Sequence, residues 1–221
     1  TPLVTTIHDV SPITHPEWFA DAYVALYRVL TPLAVRASDR IITVSEFAQD
    51  EIINVYPAAA GKTTAIYNGV APRNPADAEP VGSLNPGQFL LFVGSVNPRK
   101  NLSRLLHAYR QYRRQTNNPA SLVLVGTDDD VFASTDFPAV NGVRRLGFVS
   151  EPKLTWLYDC AALFVFPSLY EGFGLPILEA MSMGTPVVTS DRGAMAEVAG
   201  DAAHLVDPTE PAAIASGIQD V

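Results

Sequence analysis

Four apolar runs constrain this chain more than any other feature: Phe89-Leu-Leu-Phe-Val93, Ser121-Leu-Val-Leu-Val125, Leu163-Phe-Val-Phe166 and Thr185-Pro-Val-Val-Thr189. None of them alternates apolar with polar residues along its core. A strand of that kind is covered on both faces, as in a parallel sheet packed between helices. Segments with helical spacing separate the runs; Leu102, Leu105, Leu106, Tyr109 and Tyr112 fall on one face over residues 101–115. Strand and helix in alternation predict an α/β fold with a doubly wound unit over residues 87–221.

Residues 1–70 read as the later part of another such unit. Strands are expected at 3–7, 40–44 and 63–67. A helix is expected over 17–37, with Trp18, Ala22, Leu26, Val29 and Leu33 at helical spacing and a kink or split at Pro32. Ser45 is placed as the N-cap of a further helix ending near Tyr56. Residues 71–86 are rich in Pro, Asn, Asp and Ala, lack periodicity, and read as a linker. The chain opens on a strand without an initiator Met and closes on helical spacing at 212–221, so a fragment of a longer protein is expected, its first unit incomplete.

Composition narrows the function classes. With 48% hydrophobic and 17% charged residues, the chain can bury a proper core. Its net charge of −8 argues against general nucleic-acid binding, which needs many phosphates neutralised. A single cysteine, Cys160, rules out an internal disulfide and fits a reducing compartment. No apolar run approaches the roughly 20 residues of a membrane span, and no signal peptide is visible.

Ligands of doubly wound sheets bind beyond the carboxyl ends of the strands. Gly94, Gly126, residues 168–174 and residues 191–193 all stand just past strands, so they should share one rim. The richest stretch there is Glu171-Gly-Phe-Gly-Leu-Pro-Ile-Leu-Glu179. Gly172 and Gly174 let the backbone come close to a ligand. Pro176 suits a first helical turn, and the free N–H groups from Gly172 to Leu175 favour an anion. In Gly94-Ser-Val-Asn-Pro-Arg99-Lys100, two cations precede a helix. The helix dipole disfavours cations there, so a diphosphate ligand accounts for them better than solvent does. Lys100 is one of only three lysines.

The run from Ser168 to Val188 resembles, almost residue for residue, the Glu-x7-Glu signature of retaining glycosyltransferases of family 4, the group that includes bacterial mannosyltransferases. The resemblance implies the GT-B fold, two facing Rossmann-like domains, with the donor nucleotide sugar held by residues 87–221. It implies that Glu179 grips the ribose hydroxyls. Glu171 and the main chain of Phe173 and Gly174 would orient the sugar, and Lys100 would hold the diphosphate. Ser95 stands where many members carry an Arg, which leaves the role of Arg99 open. His8-Asp9 matches a His-Asp that faces the cleft from the first domain, and Leu146-Gly-Phe-Val149 matches a segment bordering the base, so Val149 is a donor-site residue. The catalytic set expected is Glu171, His8 and Lys100. Asp191-Arg-Gly-Ala-Met-Ala-Glu197 also fits the family pattern.

The implied reaction is retaining transfer of a hexose, with mannose preferred, from GDP-mannose or a UDP-sugar to a glycan or a lipid-linked acceptor. No cofactor or metal is expected. The setting would be cytoplasmic, with peripheral contact at the inner membrane face as an option. Covalent catalysis by Glu171 and a front-face reaction both stay open. A sugar-nucleotide epimerase or phosphorylase, or a nucleotide-binding module without turnover, are the alternatives. Gly61-Lys62-Thr63 lacks the glycine a phosphate loop needs at position 56 and precedes a strand. Asp128-Asp-Asp130 reads as a polar turn, and the arginines at 104, 110, 113 and 114 as a solvated helix face or a contact for anionic lipid.

Overall fold

The computed structural model describes residues 1–126 and 140–221; the reading of Asp128–Asp130 lies outside these. Two parallel sheets carry the architecture. The first, in order β1-β2-β3, is formed by β1 (Val4–Thr6), β2 (Arg40–Thr43) and β3 (Thr63–Ala65). Around it lie the short α1 (Ser11–Thr14), then α2 (Asp21–Ala37) and α3 (Glu46–Val55). Ile7, Val10, Val35, Ile41 and Ile52 form its core.

The second sheet has six strands in the order β6-β5-β4-β7-β8-β9. They are β4 (Phe89–Val93), β5 (Ser121–Val125), β6 (Val143–Gly147), β7 (Leu163–Phe166), β8 (Val187–Ser190) and β9 (His204–Val206). The helices are α4 (Leu102–Gln115), α5 (Glu151–Cys160), α6 (Leu175–Ser182), α7 (Gly193–Ala199) and α8 (Pro211–Asp220). Every pairing is parallel. Burial on both faces is visible in β7, whose four residues are all buried. The order reverses between β4 and β7, and a crevice at such a switch point is where this architecture takes its ligand.

Helix α2 departs from the expectation. It starts at Asp21, after a separate turn at Pro16–Trp18, and it runs through Pro32 without splitting. The row Leu26, Val29, Leu33 is half exposed, at 51%, 59% and 54%. Val24, Thr31 and Val35 make the buried row instead. Apolar spacing fixed the period of this helix but not its rotation, because the face is chosen by what the sheet offers. No helix among the described residues is long and apolar enough to cross a membrane.

Candidate active site

The carboxyl ends of β4 and β5 are pressed together beside the switch point. Gly94 N–H donates to the Val125 carbonyl at 2.9 Å. Gly126 has φ +136, and a Cβ there would lie 2.0 Å from the Gly94 oxygen, so only glycine fits. The chain then turns through Pro98–Lys100. Asn97 caps this turn, its Oδ1 accepting from the Lys100 N–H at 3.3 Å, and its Nδ2 donates to Ser95 Oγ at 3.0 Å. Asn101, left-handed at φ 60, precedes α4. Its Nδ2 donates to the carbonyls of Pro167 at 2.9 Å and Pro208 at 2.6 Å, which fixes the turn against β7. The Leu169 N–H donates to the Arg99 carbonyl at 2.7 Å and closes the link between the two loops.

These contacts bring Lys100 to Glu171. Their charged atoms lie 2.6 Å apart and both side chains are 8% exposed. Arg99 stands 3.5 Å from the other carboxylate oxygen. The Lys100 ammonium also sits 4.6 Å from the centre of the Phe166 ring. Burial pulls the Lys100 ammonium below the ordinary lysine range, against the attraction of Glu171. For Glu171, burial alone would raise the carboxyl. The charges of Lys100 and Arg99 outweigh it, and the carboxyl stays below its usual range. Two opposed charges thus meet in a desolvated pocket.

Glu171 opens a loop that runs into α6. Gly174, left-handed at φ 110, is the N-cap residue of α6, and Pro176 lies in the first turn. Phe173 is buried, whereas Leu175 is 40% exposed. Gly172 abuts the end of β1: a Cβ there would lie 3.0 Å from the His8 carbonyl oxygen and 3.1 Å from Asp9. His8 therefore faces this loop across the cleft through its backbone. Asp9 is held by Ser11, whose N–H and hydroxyl donate to Oδ1 at 2.9 and 2.6 Å.

Glu179 lies in α6 with partners that the sequence did not disclose. Arg73, from the segment between the sheets, donates to its Oε1 at 2.9 Å, and Tyr158 donates to its Oε2 at 2.9 Å. Arg73 also reaches Glu151 at 2.8 Å. Burial, and then the charge of Glu179, push the Tyr158 hydroxyl well above its usual range. Val149 stands beyond β6, two strands from β4, and packs against the core. Lys62 donates to the carbonyls of Val35 and Ser38 at 2.5 and 2.9 Å, a structural use that leaves no phosphate loop. Arg104 bonds the Asn101 side chain and Arg113 the Asn141 carbonyl.

Two residues at this cleft, Arg73 and Glu197, carried no assigned role in the sequence reading. Glu197 of α7 accepts from the N–H groups of Glu46 and Phe47 at 2.8 and 2.9 Å. Both interactions span more than 100 residues, so local spacing carried no trace of the partner.

Residues 87–221 match the family described as "Glycosyl transferases group 1", and residues 1–74 match "Glycosyltransferase Family 4". The O-antigen chain mannosyltransferase B of Escherichia coli is 39% identical over 97% of this chain and 60% of its own length. The O-antigen chain mannosyltransferase RfbU of Salmonella typhimurium is 29% identical over 98% of this chain and 60% of its own. The chain thus spans about 60% of the length of these curated relatives. Among solved structures, Anabaena HepE in complex with UDP-glucose superposes with a TM-score of 0.76 at 24% identity, covering 99% of this chain and 62% of that one. That likeness shows the GT-B fold. With the family match covering the whole second sheet and its rim, the chain belongs to the group 1 glycosyltransferases.

Proposed function

We propose that this chain forms the donor-binding side of a retaining glycosyltransferase that moves a hexose from a nucleoside-diphosphate sugar to a glycan or lipid-linked acceptor. The observation that carries the reading is the buried Lys100–Glu171 pair at 2.6 Å, at the mouth of a glycine loop and beside Arg99. A departing diphosphate gains negative charge as the glycosidic bond breaks. Lys100, Arg99 and the main-chain N–H groups around residues 172–175 would stabilise that charge, and preorganised charge of this kind is usually the largest catalytic term. Once phosphate takes the Lys100 ammonium, the Glu171 carboxylate is free to accept hydroxyls of the sugar. Glu179 takes the ribose hydroxyls, held in orientation by Arg73 and Tyr158. His8, Gly94, Ser95 and Val149 complete the donor contacts.

Mannose from GDP-mannose is the preferred donor, since the 39% identical relative is named a mannosyltransferase. A UDP-sugar is the second reading, favoured by the UDP-glucose in HepE. The setting inferred is the cytoplasm, with acceptors presented in solution or at the inner membrane face. Calorimetric titration of GDP, UDP and ADP tests the donor reading. One nucleotide should bind clearly, and Lys100→Ala and Glu179→Ala should each weaken it about tenfold or more, the loss of one charge-assisted contact. Equal binding by both variants would overturn the site.

A further inference from the structure

Helix α3 begins at the seam between the two sheets, and its first turn is closed by groups from both sides. Ser45 is the N-cap, its Oγ accepting from the Ala48 N–H at 3.0 Å. The two donors before it, the N–H groups of Glu46 and Phe47, are held by one carboxylate from across the seam, that of Glu197 at 2.8 and 2.9 Å. A helix N-terminus carries partial positive charge, so these are charge-assisted bonds. The Ser45 hydroxyl donates in turn to the Gly172 carbonyl at 2.6 Å, inside the loop that begins with Glu171. The Phe47 ring lies 3.4 Å from where a Gly193 Cβ would stand, at the start of α7, and packs edge-on against Tyr170 with centroids 5.3 Å apart.

We propose that Glu197 is a closure latch: by binding the N-terminus of α3 it holds the two units shut, with Ser45 on the Gly172 carbonyl and residues 171–174 against the His8–Asp9 end of β1. Glu197 is a positioning residue, acting through α3 and Ser45. Opening the cleft breaks both carboxylate bonds at once and returns two N–H groups to water. Each such bond biases the closed state by roughly a factor of ten. The consequence for turnover rests on the transferase reading; the closure itself does not.

Pulsed electron resonance between spin labels on Ala25→Cys in α2 and Ser103→Cys in α4, in a Cys160→Ser background, reads the opening directly. The parent should give one narrow distance. Glu197→Ala should add a longer population, with the open-to-closed ratio raised at least tenfold. Glu46→Pro attacks the same bond from the other side. It deletes one donor N–H at the first helical position, where proline is accepted, and Ser45 is already extended at φ −154 and ψ 162, as a residue before proline must be. Glu46→Gln keeps the N–H and should stay closed. If both Glu197→Ala and Glu46→Pro keep the parent distance, the latch is refuted; should Glu197→Ala fail to fold, Glu46→Pro decides alone. In the complete enzyme, Glu197→Ala should lower kcat at least tenfold and leave the donor KM within about threefold. An opened distance with unchanged kcat would overturn the catalytic consequence and leave the latch standing.

Discussion

Removing Lys100 should cost this protein more than removing any exposed cation, and the cost should depend on Glu171. At 2.6 Å the pair attracts by about 6 kcal/mol at an effective dielectric constant near 20. Most of that is offset by the several kcal/mol it takes to desolvate each ion. Deleting one partner removes the attraction and leaves the other charge buried, which typically costs about 3–5 kcal/mol. Lys100→Met should fall near the low end, about 3 kcal/mol, because Arg99 at 3.5 Å keeps partial hold of the carboxylate. For a chain of this size that is a fall of roughly 6–12 °C in Tm. Glu171→Gln should cost a similar amount, since the ammonium then has no carboxylate at contact distance among the described residues. The double variant Lys100→Met/Glu171→Gln should be far less unstable than the sum, with a coupling of about 2–3 kcal/mol. Thermal and urea unfolding of the four proteins measure the cycle. Costs that add to within about 0.5 kcal/mol would mean that the two groups do not interact, and the electrostatic account of the pocket would fail.

Acidification makes a related test. Because the folded Glu171 carboxyl lies below its ordinary 4.5, its contribution is complete above that value and is lost as pH falls through the folded one. Stability of the parent should therefore decline below about pH 4.5 more steeply than that of Glu171→Gln, and parallel curves would contradict the assigned ionisation. Gly126→Ala should destabilise by about 3 kcal/mol or more, or fail to fold, given its φ of +136 and the 2.0 Å clash with the Gly94 oxygen; a Tm within 2 °C of the parent would show that the rim can yield. Arg73→Ala should weaken nucleoside-diphosphate binding about tenfold by releasing Glu179, whereas Glu151→Gln, on the side chain that is 79% exposed, should leave it unchanged in the same calorimetric titration.

Much of the architecture was legible because it is local. The runs 89–93, 122–125 and 163–166 are apolar throughout, and such runs have one economical fate, a strand buried on both faces. The capping role of Ser45 was equally local, one hydroxyl and an N–H three residues on. Lys100 and Glu171 were assigned to one rim from their positions after strands, and they stand in contact. What stayed hidden was set by distance along the chain or by rotation about an axis. Arg73 finds Glu179 across 106 residues, and Glu197 finds Glu46 across 151, with nothing in either neighbourhood to name the partner. The row Leu26, Val29, Leu33 has the right period for a core face, yet the sheet meets Val24, Thr31 and Val35.

Strand order has a consequence for how the second unit is made. The chain emerges from the ribosome with β4 first, and β4 ends in the interior of the sheet. Next, β5 and β6 extend one edge, and then β7, β8 and β9 extend the other, so no strand has to be inserted between two that are already paired. The demanding step is the reversal, when β7 must find β4 across some 70 residues of intervening chain. Until residue 163 is released, β4 keeps one bare edge made of Phe, Leu and Val, the kind of edge that templates wrong pairing. During that interval the second sheet is most open to pairing with the wrong strand.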